Sequence, residues 1–232
     1  MKMNKKKVFV TALAVCLVAI LSMGSLAWFN AQESVENKFY VADSDNDTAD
    51  EIFSVDVYEY TEDSPTQKVT LNETYYEVAP NDTLKKEPHI ANTGLYDQYI
   101  RAIITISDAT NWQAILEDDF NDNTLLACFD GFDMNKWHNI STEVITATNE
   151  IRIIMYYNDI LDGSDTANDA TSGTDSDIYI FKNVKIPSAM DQADAANFGT
   201  DGFSIIVKAQ AVQTENVGNT AYEAFQTVSM AY

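Results

Sequence analysis

The chain is poor in the residues that usually staple or catalyse. Its 232 residues hold two cysteines, two histidines, four prolines and 14 basic side chains. Cys16 lies inside an apolar run near the start, so a chain that loses that run keeps only Cys128, and an intrachain disulfide is excluded. A lone cysteine without a histidine motif beside it reads as a buried, inert thiol. His89 and His138 stand far apart, with no His-Glu-x-x-His and no paired-histidine spacing. A zinc hydrolase needs three protein ligands around an open metal position, and here they would have to converge by tertiary contact alone. No Gly-x-Ser-x-Gly elbow and no glycine-rich phosphate loop occurs. No catalytic residue is therefore identified. The 14 basic residues face 36 acidic ones, a formal net charge of −22, which repels nucleic acid and anionic lipid.

What is present begins at the N-terminus. Lys2, Lys5, Lys6 and Lys7 form a basic head, and residues 8–21 form an uncharged apolar run. Ser25 and Ala27 then put small residues at the two positions that a signal peptidase reads. These three parts in this order predict a secretory signal peptide over residues 1–27, cut between Ala27 and Trp28. The mature domain, 28–232, is expected to be secreted, working in the extracellular matrix or at the cell surface. The plainer alternative, a retained membrane anchor, is weakened where Ser22, Gly24 and Ser25 interrupt the run. A lipoprotein reading of Cys16 fails on the bulky Val15 before it.

Removal of the signal leaves ten basic residues against 36 acidic ones, about −26 per mature chain. Hydrophobic content of 46% with 11% aromatics is ample for one folded core. Period-two alternation dominates. Phe53, Val55 and Val57 share a face, as do Ile100, Ala102, Ile104 and Ile106. So do Ile151, Ile153, Met155 and Tyr157, and Ile178, Ile180, Val184 and Ile186 around Lys182. Phe203, Ile205, Val207, Ala209 and Ala211 make the clearest strand. Further strands are predicted over 68–78, 84–91 and 123–129. Three short helices are expected: 108–120, with Asp108 or Thr110 as cap; 188–198, with a serine cap; and 219–228, with Asn219 or Thr220 as cap. Eight or nine strands with a few decorating helices predict an all-β, jelly-roll-like β-sandwich.

Two acidic, low-complexity stretches read as solvated loops: an acidic linker over 43–51 and a mobile loop over 159–177. Asp43, Asp45 and Asp47 have the alternate spacing of a hard-cation loop. Thr48 stands where a glycine belongs and Ser54 where a bidentate glutamate belongs, so this is a weak calcium candidate at most, and no other cofactor is implied.

The junction and three downstream elements carry a family resemblance. Ala27-Trp28-Phe29-Asn30 at the cut is followed by Val35-Glu36-Asn37-Lys38-Phe39. Then come Ala79-Pro80-Asn81-Asp82, Lys85, Asn92-Thr93-Gly94 and Tyr99-Ile100-Arg101. Ala209-Gln210-Ala211-Val212-Gln213, leading into Ala221-Tyr222-Glu223-Ala224-Phe225, closes the chain. In these elements the chain resembles the TasA/camelysin family, exported proteins of Gram-positive bacteria whose signals are cut by the dedicated signal peptidase SipW. Asn81 departs from the family's glycine, and the 159–177 insertion and residues 110–200 match none of its motifs.

The resemblance implies a jelly roll that polymerises into biofilm-matrix fibres, with a SipW-type peptidase as partner in export and other copies or matrix proteins as partners afterwards. It also carries two alternatives, a camelysin-like metalloprotease and a monomeric surface-binding module. The segment 28–41, with Trp28, Phe29, Val35 and Phe39, is the expected assembly strand. Read without the family, the same residues are structural. Pro80-Asn81-Asp82 makes a tight turn, Gly94 is available for positive φ, and Arg101 is placed to meet a neighbouring carboxylate.

Overall fold

The alternating runs fold as antiparallel strands. The computed structural model of the chain describes residues 30–34, 37–38, 53–61, 64–69, 73–75, 78–116, 122–163, 175–198, 202–215 and 217–228. In chain order these contain β1 (Asn30–Ser34), β2 (Asn37–Lys38), β3 (Val55–Thr61), β4 (Ser64–Val69), β5 (Glu73–Tyr75), β6 (Thr83–Lys85), β7 (His89–Asn92) and β8 (Gln98–Ser107). There follow α1 (Ala109–Leu116), α2 (Asp122–Ala127), β9 (Phe129–Asp130), β10 (Trp137–Ile145) and β11 (Glu150–Tyr157). The last elements are β12 (Asp177–Tyr179), β13 (Asn183–Lys185), α3 (Gln192–Asn197), β14 (Phe203–Gln213) and α4 (Ala221–Val228). The fold is all-β, with three antiparallel sheets and a few short helices.

The largest sheet has seven strands in the order β10-β11-β8-β14-β1-β2, with β5 also pairing β14. Register places Ile153, Ile104 and Val207 side by side across three strands, and Met155, Ala102 and Ala209 in the next row. All six are at most 1% exposed, so this face of the three central strands is core. Each of the isoleucine, valine and methionine side chains contributes roughly 1.5–3 kcal/mol through burial. The second layer is the four-stranded sheet β12-β7-β3-β4, whose Val55, Val57, Ile90 and Ile178 join the same core. A small sheet, β6-β13-β9, closes one side through Phe129 and Val184.

The opposite face of the large sheet is half covered. Tyr99, Ile103, Ile154, Tyr156 and Val212 meet Val217 and the Ala221, Ala224 and Phe225 side of α4. Arg101 lies here, 2% exposed. Its Nε donates to Gln210 Oε1 at 2.6 Å, and its guanidinium sits 4.5 Å from the Phe225 ring centroid. The partners seen among the described residues are an amide directly opposite in register and an aromatic face, which stabilises a delocalised cation away from water.

Four expectations need correction. Residues 84–91 are not one strand: β6 and β7 belong to different sheets, because Pro88 interrupts the ladder between them. Residues 178–186 likewise divide into β12 and β13. The 68–78 run gives the end of β4 and then β5, in separate sheets. The run 123–129 is mostly the helix α2, since a short apolar run fits either element and Asp122, Asn123 and Thr124 favour a helix start. The strand β10 was not foreseen. Its exposed positions interrupt the alternation.

Helix caps also differ. Asp108 has φ 63° and cannot be an ordinary N-cap. The start of α1 is capped from the β10–β11 hairpin instead. The Asn149 carbonyl accepts from Ala109 N (2.9 Å), and Asn149 Oδ1 accepts from Thr110 N (3.0 Å) and Thr110 Oγ1 (2.8 Å). The cap of α3 is Asp191, in a reciprocal box with Asp194, so the helix starts later than Ser188. At α4 the Thr220 hydroxyl accepts from Glu223 N, as anticipated.

Asn149→Gly keeps the left-handed backbone but deletes this cap. It should destabilise the fold by about 1–2 kcal/mol in urea unfolding while leaving the strand signal in circular dichroism intact. Asn149→Asp retains the acceptor and should lose much less. Equal losses for the two variants would remove the capping account.

Candidate functional site

Three features could carry function: the first strand, the anchored acidic loop and the histidine cluster beside it. The first is built on β14, whose outer edge is shared. Residues 203–205 pair with β5, and residues 208–212 pair with β1 in antiparallel register, from Asn30 opposite Val212 to Ser34 opposite Lys208. The strand is therefore formed by the polar stretch of the assembly segment. Ser25, Ala27, Trp28, Phe29, Val35 and Phe39 lie outside the described residues, as do Asp43, Asp45 and Asp47.

The second feature explains the Asn-x-Gly motif. Asn92 Nδ2 donates to the carbonyls of Tyr96 (2.8 Å) and Leu161 (2.9 Å), while its Oδ1 accepts from Gly94 N. Gly94 does not take a positive φ; its amide closes this side-chain turn. Leu161, fully buried, exchanges two backbone hydrogen bonds with Gln98, and Asn92 N donates to the Ser176 carbonyl. Gly163 N donates to Asp97 Oδ1, and a Cβ on Gly163 would fall on the Leu95 carbonyl. Both described ends of the acidic insertion are thus held at the β7–β8 turn. The other turn motif is as expected. Asp82 N donates to the Ala79 carbonyl (3.0 Å), with Asn81 at φ 67°, a conformation that asparagine tolerates.

Beside this anchor, His89 is enclosed by aromatic rings. Tyr58 stacks on it at 5.1 Å between centroids, Tyr60 meets it edge-on at 5.3 Å, and Tyr179 lies at 6.3 Å. Register across β12, β7 and β3 places Tyr179, His89 and Tyr58 in one row. Asp177 Oδ1 lies 2.9 Å from His89 Nδ1, and Tyr58 OH donates to Asp177 Oδ2. Glu87 Oε1 lies 3.6 Å from Nε2, outside hydrogen-bond distance.

Burial alone would raise the Asp177 carboxyl. Hydrogen bonds from His89 and Tyr58, then the charges of His89 and Lys68, outweigh it and hold the group below the usual carboxylate range. The Tyr58 hydroxyl is pushed well up by burial and by its bond to Asp177. A histidine oriented by a carboxylate is one part of acid–base machinery. Here its ring faces are occupied by neighbouring tyrosines, and the raised Tyr58 hydroxyl is a poor nucleophile. We read the cluster as the clamp that fixes β12, and with it the end of the acidic insertion, onto β7.

The remaining residues singled out in the sequence are dispersed. His138 is exposed on β10, in a different sheet from His89. Among the described residues no group of three or more His, Cys, Asp or Glu side chains converges as a metal-ion site. Cys128 is free and buried; its Sγ donates to the Thr124 carbonyl, and burial pushes the thiol up to about 11. A shallow cleft of about 310 Å³ lies nearby, lined by Leu126, Phe129, Asp130, Gly131, Phe132 and Met134, without convergent polar groups. The Tyr58–His89–Tyr179 row was not anticipated. Its only sequence signal is that each residue sits opposite the core-facing position of its own strand. Compared with known proteins, the chain matches no family model, no curated protein and no solved structure.

Two outcomes test these assignments. Because the Asp177 carboxyl is held low in the folded state, it contributes stability above the ordinary carboxylate range that is lost as pH falls through its folded value. Asp177→Asn should therefore melt below the parent protein at neutral pH, and the gap should close on acidification below about pH 4. A gap that persists unchanged in acid contradicts this. The Cys128 thiol should react with a thiol reagent only on unfolding; fast reaction in the native protein would show that it is accessible.

Proposed function

We propose that the chain is a secreted, non-enzymatic structural protein of the extracellular matrix or cell surface, a fibre or biofilm-matrix subunit with a jelly-roll-like sandwich, as its resemblance to the TasA/camelysin family implies. The observation that carries this reading is the position of β1. The strand that begins three residues after the expected cut at Ala27 occupies the stretch of the β14 edge over residues 208–212, beside the stretch taken by β5. Within one chain it is an ordinary first strand. The same backbone ladder, made by β1 of a neighbouring copy, would link subunits head to tail. Such a contact is heterologous and does not close, so it grows as a fibre. The signal peptide would withhold the strand until cleavage frees Trp28. The His89 clamp and the anchored insertion then serve as structural fittings of the subunit.

Deletion of residues 28–41 from the mature protein tests this. The truncated chain should keep its strand content by circular dichroism but no longer form fibres in electron microscopy. A synthetic peptide of residues 28–41 should bind to it and remain bound through gel filtration. Unchanged fibres, or a wholly unfolded chain, would make β1 a purely internal strand.

A further inference from the structure

Lys86 and Glu59 form an ion pair that the fold has taken out of water. Lys86 lies in the linker between β6 and β7, where its amide donates to the Lys182 carbonyl. Glu59 lies in β3, opposite Val69 of β4. Lys86 Nζ donates to Glu59 Oε1 at 2.5 Å, and the two side chains are 1% and 9% exposed. Both charges have lost their hydration, a cost that their mutual attraction often fails to recover in a protein interior. An amide in their place would keep one N–H and one C=O for hydrogen bonding and leave no charge to desolvate. Neither group is used by the clamp around His89 or by the first strand.

We infer that Lys86 and Glu59 are a modification site, at which the folded chain condenses the two side chains into an intramolecular amide. A proton passes from Nζ to the carboxylate, leaving a neutral amine beside a carboxylic acid. The nitrogen electron pair forms the Nζ–Cδ bond. The Cδ–OH bond breaks as the hydroxyl takes a proton from nitrogen and departs as water. Ammonium and carboxylate become an amide and one water, with no oxidant, metal or activating nucleotide in the balance. The fold contributes proximity, holding the reacting groups at contact distance. It also contributes enclosure, which favours the uncharged product over the ion pair.

The bond would close the excursion of chain from residue 59 to residue 86, which leaves the four-stranded sheet after β4 and returns to it at β7. With only Cys128 in the mature chain, a disulfide is not available for that task. A lysine–glutamate amide would restrain the unfolded chain in the same way a disulfide does.

The mass of the mature protein decides the matter. After folding, then denaturation, its intact mass should be one water below the value set by the sequence. Trypsin should leave the peptide 39–68 joined to the peptide 86–101, with no cleavage after Lys86. Lys86→Met should restore the full mass. A native protein at its full sequence mass overturns the inference and leaves a buried ion pair. Loss of water mapped to any other peptide, or retained in Lys86→Met, overturns it as well.

Discussion

Nine consecutive residue pairs between β8 and β14, from Ile205 opposite Ile106 to Gln213 opposite Gln98, are the constraint on which the molecule rests. Every other strand of the large sheet pairs with one of these two or, for β10 and β2, with a strand that does. The strand β11 pairs with the free side of β8, while β1 and β5 divide the free side of β14. A slip of β14 by one residue would turn Val207 out of the core and Gln210 into it, away from Arg101. The Arg101–Gln210 bond works against such a slip, because a buried guanidinium that loses its acceptor is left at high cost. Apolar burial stabilises the pairing, and the buried Arg101–Gln210 bond helps fix its register.

The second layer follows from two crossings that lie side by side. The chain leaves the small sheet at Lys85 and enters the four-stranded sheet at His89; later it passes the other way between Tyr179 and Asn183. The crossings are tied together: Ile180 N donates to the Pro88 carbonyl, Lys86 N to the Lys182 carbonyl, and Lys182 N to the Asp130 carbonyl. Backbone groups freed by interrupting two ladders thus satisfy each other. Lys86 is drawn into the interior at this junction, beside Glu59, while its neighbour Lys85 stays exposed.

The central strands were legible because they are buried on the face that alternates. Phe203 to Ala211 and Ile100 to Ile106 display the period of two without interruption, and the structure keeps both. The turn at Pro80-Asn81-Asp82 was legible because each residue has a local reason to be there. What was lost depends on partners distant in sequence. The run over 84–91 reads as one strand until Pro88 is weighted as a break. The start of α1 cannot be read from its own residues when its cap is Asn149, some forty positions away. The His89 clamp had no local signature, since it is assembled from three strands. Asn92 illustrates the intermediate case: the motif was visible, but its role as the anchor of the acidic insertion needed Leu161 beside it.

Charge limits how copies of such a chain can associate. A formal net charge of −22 on the chain opposes any contact, and the opposition reaches roughly 10 Å at ordinary ionic strength. Apolar surface does not offset it: among the described residues only Met134 and Tyr222 are large, hydrophobic and well exposed. A contact built from backbone hydrogen bonds along a strand edge escapes this limit. It needs no apolar patch, and its register is set by the pleat. It also confines the close approach to one narrow strip, so that much of the acidic surface stays in water. For the fibre proposed above, an exchanged strand at β14 is therefore the contact that such an acidic surface would oppose least.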